Sequence, residues 1–230
     1  MERAVCMQLM AYLTSNSLLP SRQSAYRRHH SVETALVRVY NDLLQSLDKQ
    51  QEAVLILLDM TAAFDTVDHQ ILLSRLNNRF GVTGVALNWF SSYLSGREQR
   101  VLIQGTSSDP SPLLWGVPQG SVVGPVLFIC YTTPVQDLIH AHGFSTMIYA
   151  DDTQLYISMK SSNRDQMMGK LDTCLKEVRS WMGCNHLVLN DNKMEVLHVA
   201  SKFRPCQELS PINIDSGQVT SSTSVRDLGV

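Results

Sequence analysis

Long apolar runs are missing from this chain. Nothing in it approaches the ~20 consecutive apolar residues that a membrane-spanning helix needs. The stretch from Met1 to Leu19 is broken by Glu2, Arg3, Gln8 and Asn16 and leads to no small-residue cleavage site, so a secretory signal is not expected. The sequence therefore predicts an intracellular protein with no membrane contact, leaving nucleus or cytoplasm open. Cysteine is sparse: Cys6, Cys130, Cys174, Cys184 and Cys206 are dispersed without a Cys-x-x-Cys pair, which argues for reduced thiols and against a disulfide framework. The seven histidines show no zinc-ligand spacing. Charge of one sign is also lacking. A net charge of -2 is not the basic balance of a typical nucleic-acid binder, although a local basic groove can coexist with acidic residues. Internal repeats and low-complexity tracts are absent, and nothing predicts an oligomer.

A hydrophobic content of 44% is enough for a packed core, in one large domain or two small ones. Met1–Leu13 has helical spacing. Ser31 is a candidate N-cap for a helix with the apolar stripe Val32, Ala35, Leu36, Val39 and Leu43. Ala53–Leu58 is a continuous apolar run ending on Asp59, as in a strand covered on both faces. Asp68 opens a helix to about Phe80, and Gly84–Leu94 makes another. Gln99–Gln104 alternates like a strand, and Asp109–Pro112 marks a turn. A tight loop at Val117–Ser121 precedes an apolar helix reaching Ile139, with Pro125 in its first turn. Ser145–Ala150 and Gln154–Ser158 read as a hairpin around Asp151-Asp152. An amphipathic helix over Asp165–Met182 and short strands at Glu195–Val199 and Ile212–Ile214 complete an α+β pattern.

Two features carry chemistry: the apolar strand ending in Asp59, and the hairpin turn bearing Asp151 and Asp152. Adjacent carboxylates repel, and between apolar strands they call for cations. Mg²⁺ meets that need, because it takes hard oxygen ligands and is commonly held by a few carboxylates plus substrate phosphates. A pair of such ions about 4 Å apart stabilises the attacking and leaving oxygens of an in-line phosphoryl displacement. An Asp-Asp pair taken alone reads better as a solvated turn.

The surrounding motifs decide between these readings. Leu58-Asp59-Met60-Thr61-Ala62-Ala63-Phe64-Asp65, Gly116-Val117-Pro118-Gln119-Gly120-Ser121 and Tyr149-Ala150-Asp151-Asp152 resemble, in order, three catalytic motifs of reverse transcriptases. Gln23-Ser24-Ala25-Tyr26-Arg27, Asp65-Thr66-Val67-Asp68-His69 and Leu187-Val188-Leu189-Asn190 resemble the non-LTR (LINE-type) retrotransposon enzymes in particular.

The resemblance implies a right-hand polymerase palm: an antiparallel sheet with a catalytic hairpin, packed on helices. It places partial fingers at about 1–52 and the palm at about 53–230, with a fingers insertion near 68–112. It implies two Mg²⁺ ions, or Mn²⁺, held by Asp59, Asp151 and Asp152, with an RNA template, a DNA primer and deoxynucleoside triphosphates as partners. Phe64 matches the aromatic gate under the nucleotide sugar, and Gln119 and Gly120 match the lining of the nucleotide pocket. Lys193 matches a lysine near the triphosphate, and Arg27 and Arg28 fall in a segment that contacts triphosphate or template. Core aromatic, ordinary turn and solvated cation remain the alternatives for these residues. Asp227-Leu228-Gly229-Val230 resembles the primer-grip turn, after which the family carries a thumb that this sequence is expected to lack. The function implied is RNA-directed DNA synthesis. The competing expectation is a non-catalytic remnant of a retroelement polymerase that folds and at most binds RNA.

Overall fold

The computed structural model describes residues 1–202, 208–214 and 217–230; Cys206 lies outside them. Six α-helices are described: α1 Glu2–Ser15, α2 Val32–Asp48, α3 His69–Asn78, α4 Gly84–Leu94, α5 Gly124–Ala141 and α6 Arg164–Cys184. The strands are β1 Glu52–Leu58, β2 Met60–Thr61, β3 Glu98–Gln99, β4 Leu102–Ile103, β5 Thr106–Ser107 and β6 Ser111–Pro112. They continue as β7 Ser145–Tyr149, β8 Asp152–Met159, β9 Val188–Leu189, β10 Glu195–Val199, β11 Ile212–Ile214 and β12 Gly217–Val219. Among the described residues, no helix is long and apolar enough to cross a membrane. The chain forms two compact units: Met1–Leu19 with Ala62–Thr132, and Pro20–Thr61 with Thr133–Val230.

In the first unit α3 packs against α4, burying Leu72, Leu76, Phe90 and Leu94. Asp68 starts α3 as its sequence position predicts, its Oδ1 accepting a hydrogen bond from the Ile71 N–H at 2.8 Å. The Tyr12 hydroxyl of α1 donates to the Phe80 carbonyl at 2.8 Å. The single strand expected over Gln99–Gln104 does not form. It divides into β3, which pairs with β6, and β4, which pairs with β5 across a turn where Gln104 and Gly105 have φ of 48° and 85°. The expected turn at Asp109–Pro112 accordingly ends in β6. The reason is physical: all four short strands are exposed, so alternation found no core to hold a longer strand in one register.

The second unit is built on a four-stranded antiparallel sheet of order β10-β1-β8-β7. β1 is buried along most of its length, as its unbroken apolar run predicts. Ala35, Val39 and Leu43 of α2 pack on Ala53, Leu55, Met147 and Tyr156. Ser31 caps α2 through a reciprocal pair in which Ser31 N–H donates to Thr34 Oγ1 at 2.8 Å and Thr34 N–H to Ser31 Oγ at 3.3 Å. α6 buries Leu171, Cys174, Leu175, Val178 and Met182, a stripe of helical period. Burial pushes the Cys174 thiol up to about 12, as befits an inert core residue.

Candidate active site

Antiparallel register brings the carboxylates together. β1 and β8 pair from Glu52↔Met159 to Leu58↔Thr153. One residue beyond that last pair stand Asp59 on one strand and Asp152 on the other. β8 in turn pairs with β7 through Tyr149↔Asp152, so Ala150 and Asp151 form a two-residue turn beside them. Asp59, Asp151 and Asp152 thus share one end of the sheet and remain partly exposed.

Their electrostatics are those of crowded like charges. Asp152 is pushed up to about 6, first by burial, then by Asp151 and Asp59, with Lys193 pulling it back. Lys193 Nζ lies 3.4 Å from both carboxylate oxygens of Asp59. Its short 3-10 turn, Asp191–Lys193, is anchored by the Asn190 N–H donating to the Asp59 carbonyl at 2.9 Å and by an Arg179–Asp191 ion pair. A cleft of about 380 Å³ opens here, lined among others by Asp59, Asp152, Gln154, Lys193 and Asp227.

Asp227 escaped the sequence reading as an acidic neighbour. Its carboxyl is pushed up to about 6 by burial and by Asp152, and its Oδ1 accepts from Gln154 Nε2 at 2.7 Å. The turn resembling a primer grip was the only signal at that position, and it gave no hint of a contact with β8. Among the described residues, no group of three or more His, Cys, Asp or Glu side chains is placed to hold a metal ion. The donor chemistry nevertheless suits a hard divalent cation, since the β1–β8 register and the β7–β8 turn bring the carboxylates of Asp59, Asp151 and Asp152 to one end of the sheet.

The other sequence-predicted residues are placed as follows. Phe64, Gln119 and Gly120 belong to the first unit. Phe64 is half-buried and stacks on buried Phe128, with ring centroids 4.4 Å apart. Its loop is tied to the Pro-Gln-Gly loop by the Val117 N–H donating to the Phe64 carbonyl at 2.9 Å. Exposed Gln119 donates from Nε2 to both oxygens of Asp65 at 3.0 and 3.2 Å, a partner that spacing did not reveal. Gly116, φ 86°, permits the approach, because a Cβ there would stand 2.8 Å from the Asp65 carbonyl oxygen.

The two arginines, both in the second unit, differ. Arg27 Nη1 donates to the carbonyls of Pro20 and Gln23 at 2.8 and 3.0 Å, whereas the Arg28 side chain is exposed. Tyr26 beside them is half-exposed, and Asp151 helps raise its hydroxyl pKa, after burial, so the ring stands near the hairpin.

The chain is 26% identical over 235 residues to the probable RNA-directed DNA polymerase from transposon BS of Drosophila melanogaster, across 100% of this chain and 25% of that protein. It is 31% identical to the RNA-directed DNA polymerase from mobile element jockey of the same organism, across 70% of this chain and 18% of that protein. The chain therefore spans a quarter or less of these curated relatives. Among solved structures, apo telomerase from Candida tropicalis truncated from its C-terminal domain superposes with a TM-score of 0.60 at 14% identity, over 95% of this chain and 43% of that one. Telomerase from the same organism in complex with a fragment of telomeric RNA gives 0.58 at 14% identity, over 85% of this chain and 33% of that one. The similarity to both shows the fold alone. The family described as reverse transcriptase (RNA-dependent DNA polymerase) matches residues 1–230, and the chain belongs to it.

Proposed function

We propose that this chain carries the catalytic core of a retrotransposon RNA-directed DNA polymerase, transferring deoxynucleotides to a primer 3′-hydroxyl on an RNA template. The observation that carries the reading is the β1–β8 register, which sets Asp59 beside Asp152 at the sheet end where the Asp151 turn also lies. In this reading the four-stranded sheet is the polymerase palm. Asp59, Asp151 and Asp152 would hold divalent cations, Mg²⁺ or Mn²⁺, which supply charge neutralisation and Lewis acidity in phosphoryl transfer.

The protein's own residues do the rest. Lys193, beside Asp59, offers positive charge to a triphosphate or to departing pyrophosphate. Arg28 offers a solvated fork for phosphate, and Arg27, already engaged with backbone carbonyls, holds the segment in shape. Phe64 selects against a 2′-hydroxyl, held in place by its stack on Phe128. Gln119, oriented by Asp65, and Gly120 shape the nucleotide pocket.

Primer extension on a poly(rA)–oligo(dT) duplex with dTTP and Mg²⁺ tests the reading. Extension by the parent and none by Asp151→Ala/Asp152→Ala supports it. No extension by either favours the competing reading, a non-catalytic remnant that folds and at most binds RNA.

Two further results are expected. Mg²⁺ or Mn²⁺ should raise the melting temperature of the parent, and Asp151→Asn should remove that rise; an equal rise in both would put the metal elsewhere. In a chain active in primer extension, Phe64→Val should raise ribonucleotide incorporation about tenfold or more, the scale of a changed apolar contact at a discriminating position. Unchanged sugar preference would return Phe64 to a purely structural role.

A further inference from the structure

The turn that carries Asp151 is strained. Ala150 has φ 57°, at the position where two-residue hairpins favour glycine. An alanine held there disfavours the turn, because its Cβ crowds the backbone in the left-handed region. Something must hold it, and the segment Arg22–Ser24 does so.

Arg22–Ser24 runs beside β7 as an extra, parallel partner. Gln23 bridges Ile148, with the Ser24 N–H donating to the Ile148 carbonyl and the Ile148 N–H to the Arg22 carbonyl, both at 2.9 Å. The backbone pairing ends there, two residues short of the turn. The Gln23 side chain, 2% exposed, carries it further. Its Oε1 accepts from the Ala150 N–H at 3.3 Å and from the Ala25 N–H at 2.8 Å, and its Nε2 reaches the Ala150 carbonyl at 3.5 Å. The carboxamide thus acts as a surrogate peptide group, meeting both polar atoms of the one strained residue. Arg22 fixes the segment in turn: its N–H donates to Gln136 Oε1 at 3.0 Å and its guanidinium pairs with Asp42 at 3.0 Å.

We propose that Gln23 is a positioning residue for the catalytic hairpin: its buried amide clamps Ala150 in the left-handed conformation and thereby sets where Asp151 presents its carboxylate. The proposal rests on the polymerase reading for its consequence in catalysis, but not for its geometry. It touches no substrate, so its effect passes wholly through the turn.

The test uses Gln23→Met, which keeps length and bulk and deletes the hydrogen bonds, alone and combined with Ala150→Gly. Hydrogen exchange in the full chain should show amides of Ile148–Thr153 exchanging about tenfold faster in Gln23→Met, the scale of one or two lost hydrogen bonds. Amides of Leu55 and Ile157 should keep their rates. Adding Ala150→Gly should restore protection, since glycine adopts the turn without the clamp. Mn²⁺ titration of the same proteins should show weaker binding in Gln23→Met and recovery in the double variant. Where the parent extends primers, Gln23→Met should lower kcat while KM for dTTP stays within about twofold, as expected when transition-state geometry rather than ground-state binding is lost. Unchanged exchange at Ile148–Thr153 would overturn the proposal, as would a rise shared equally with Leu55 and Ile157, which marks general destabilisation. The exchange outcome does not depend on activity, so a failed polymerase reading and a failed clamp give different results.

Discussion

On the polymerase reading proposed above, converting Asp151 and Asp152 together to asparagine is expected to lower primer extension by at least about 10³-fold, the scale on which electrostatic stabilisation of a transition state is lost. Asp152→Asn alone should also make the metal-free protein more stable. The Asp152 carboxyl sits at about 6 in the folded chain against an ordinary 3.8, because burial and the charges of Asp151 and Asp59 disfavour its ionised form. Between those two values the folded chain holds more protons than the unfolded one, so this group's effect is to lower stability as pH rises. The penalty is absent below the ordinary value, grows through the interval and is complete above about 6. The group is partly exposed, so after discounting for solvent screening the gain from asparagine at pH 7.5 comes to about 1 kcal/mol. Thermal scans in EDTA at pH 7.5 and pH 4 should show the variant ahead at the higher pH and level at the lower. A variant that is less stable at pH 7.5 would mean that Asp152 is already compensated within the protein. Loss of catalysis with a gain in stability is the signature of a site whose charges await a ligand.

What was legible in the sequence was whatever local chemistry dictates. The apolar run before Asp59 gave a strand buried on both sides, because no polar residue interrupts it to mark a solvent face. Ser31 and Asp68 announced their helices, since a cap's hydrogen bond closes within three residues. A hairpin around Asp151-Asp152 followed from apolar runs flanking two acids, but its turn falls one residue earlier, at Ala150–Asp151, because Asp152 pairs with Tyr149. Partners distant in sequence were not legible. Gln119 meets Asp65 and Gln23 meets Ala150 across separations of 54 and 127 residues, and no periodicity reports such pairs. The contact of Asp227 with Gln154, 73 residues away, went unread for the same reason. Gln99–Gln104 failed differently: its alternation was real, yet with every residue of β3 and β4 exposed, no burial turned it into one strand.

The largest stability loss is expected from Ile56→Ala. Ile56 is fully buried at the middle of β1, paired with Val196 of β10 on one side and Leu155 of β8 on the other. Strands flank it on both edges, so the backbone has little room to close on a void. The lost transfer energy then adds to a cavity term, together about 3–4 kcal/mol. For a chain of this size that corresponds to a fall in melting temperature of roughly 10 °C. Ile56→Val removes one methylene and should cost about 1 kcal/mol. Leu57→Ala, next along the strand, should cost less than Ile56→Ala, because Leu57 is only partly buried and borders the cleft beside Asp59. Ranking the three variants by thermal melting tests the packing directly; an Ile56→Ala protein within 2 °C of the parent, a margin well below the cavity effect, would mean that β1 is not the packed centre of its unit. The same strand leads into Asp59, so a void three residues upstream loosens the support of the carboxylate that the register aligns with Asp152. Where the parent extends primers, Ile56→Ala should therefore lower extension even below its melting temperature, with Ile56→Val intermediate.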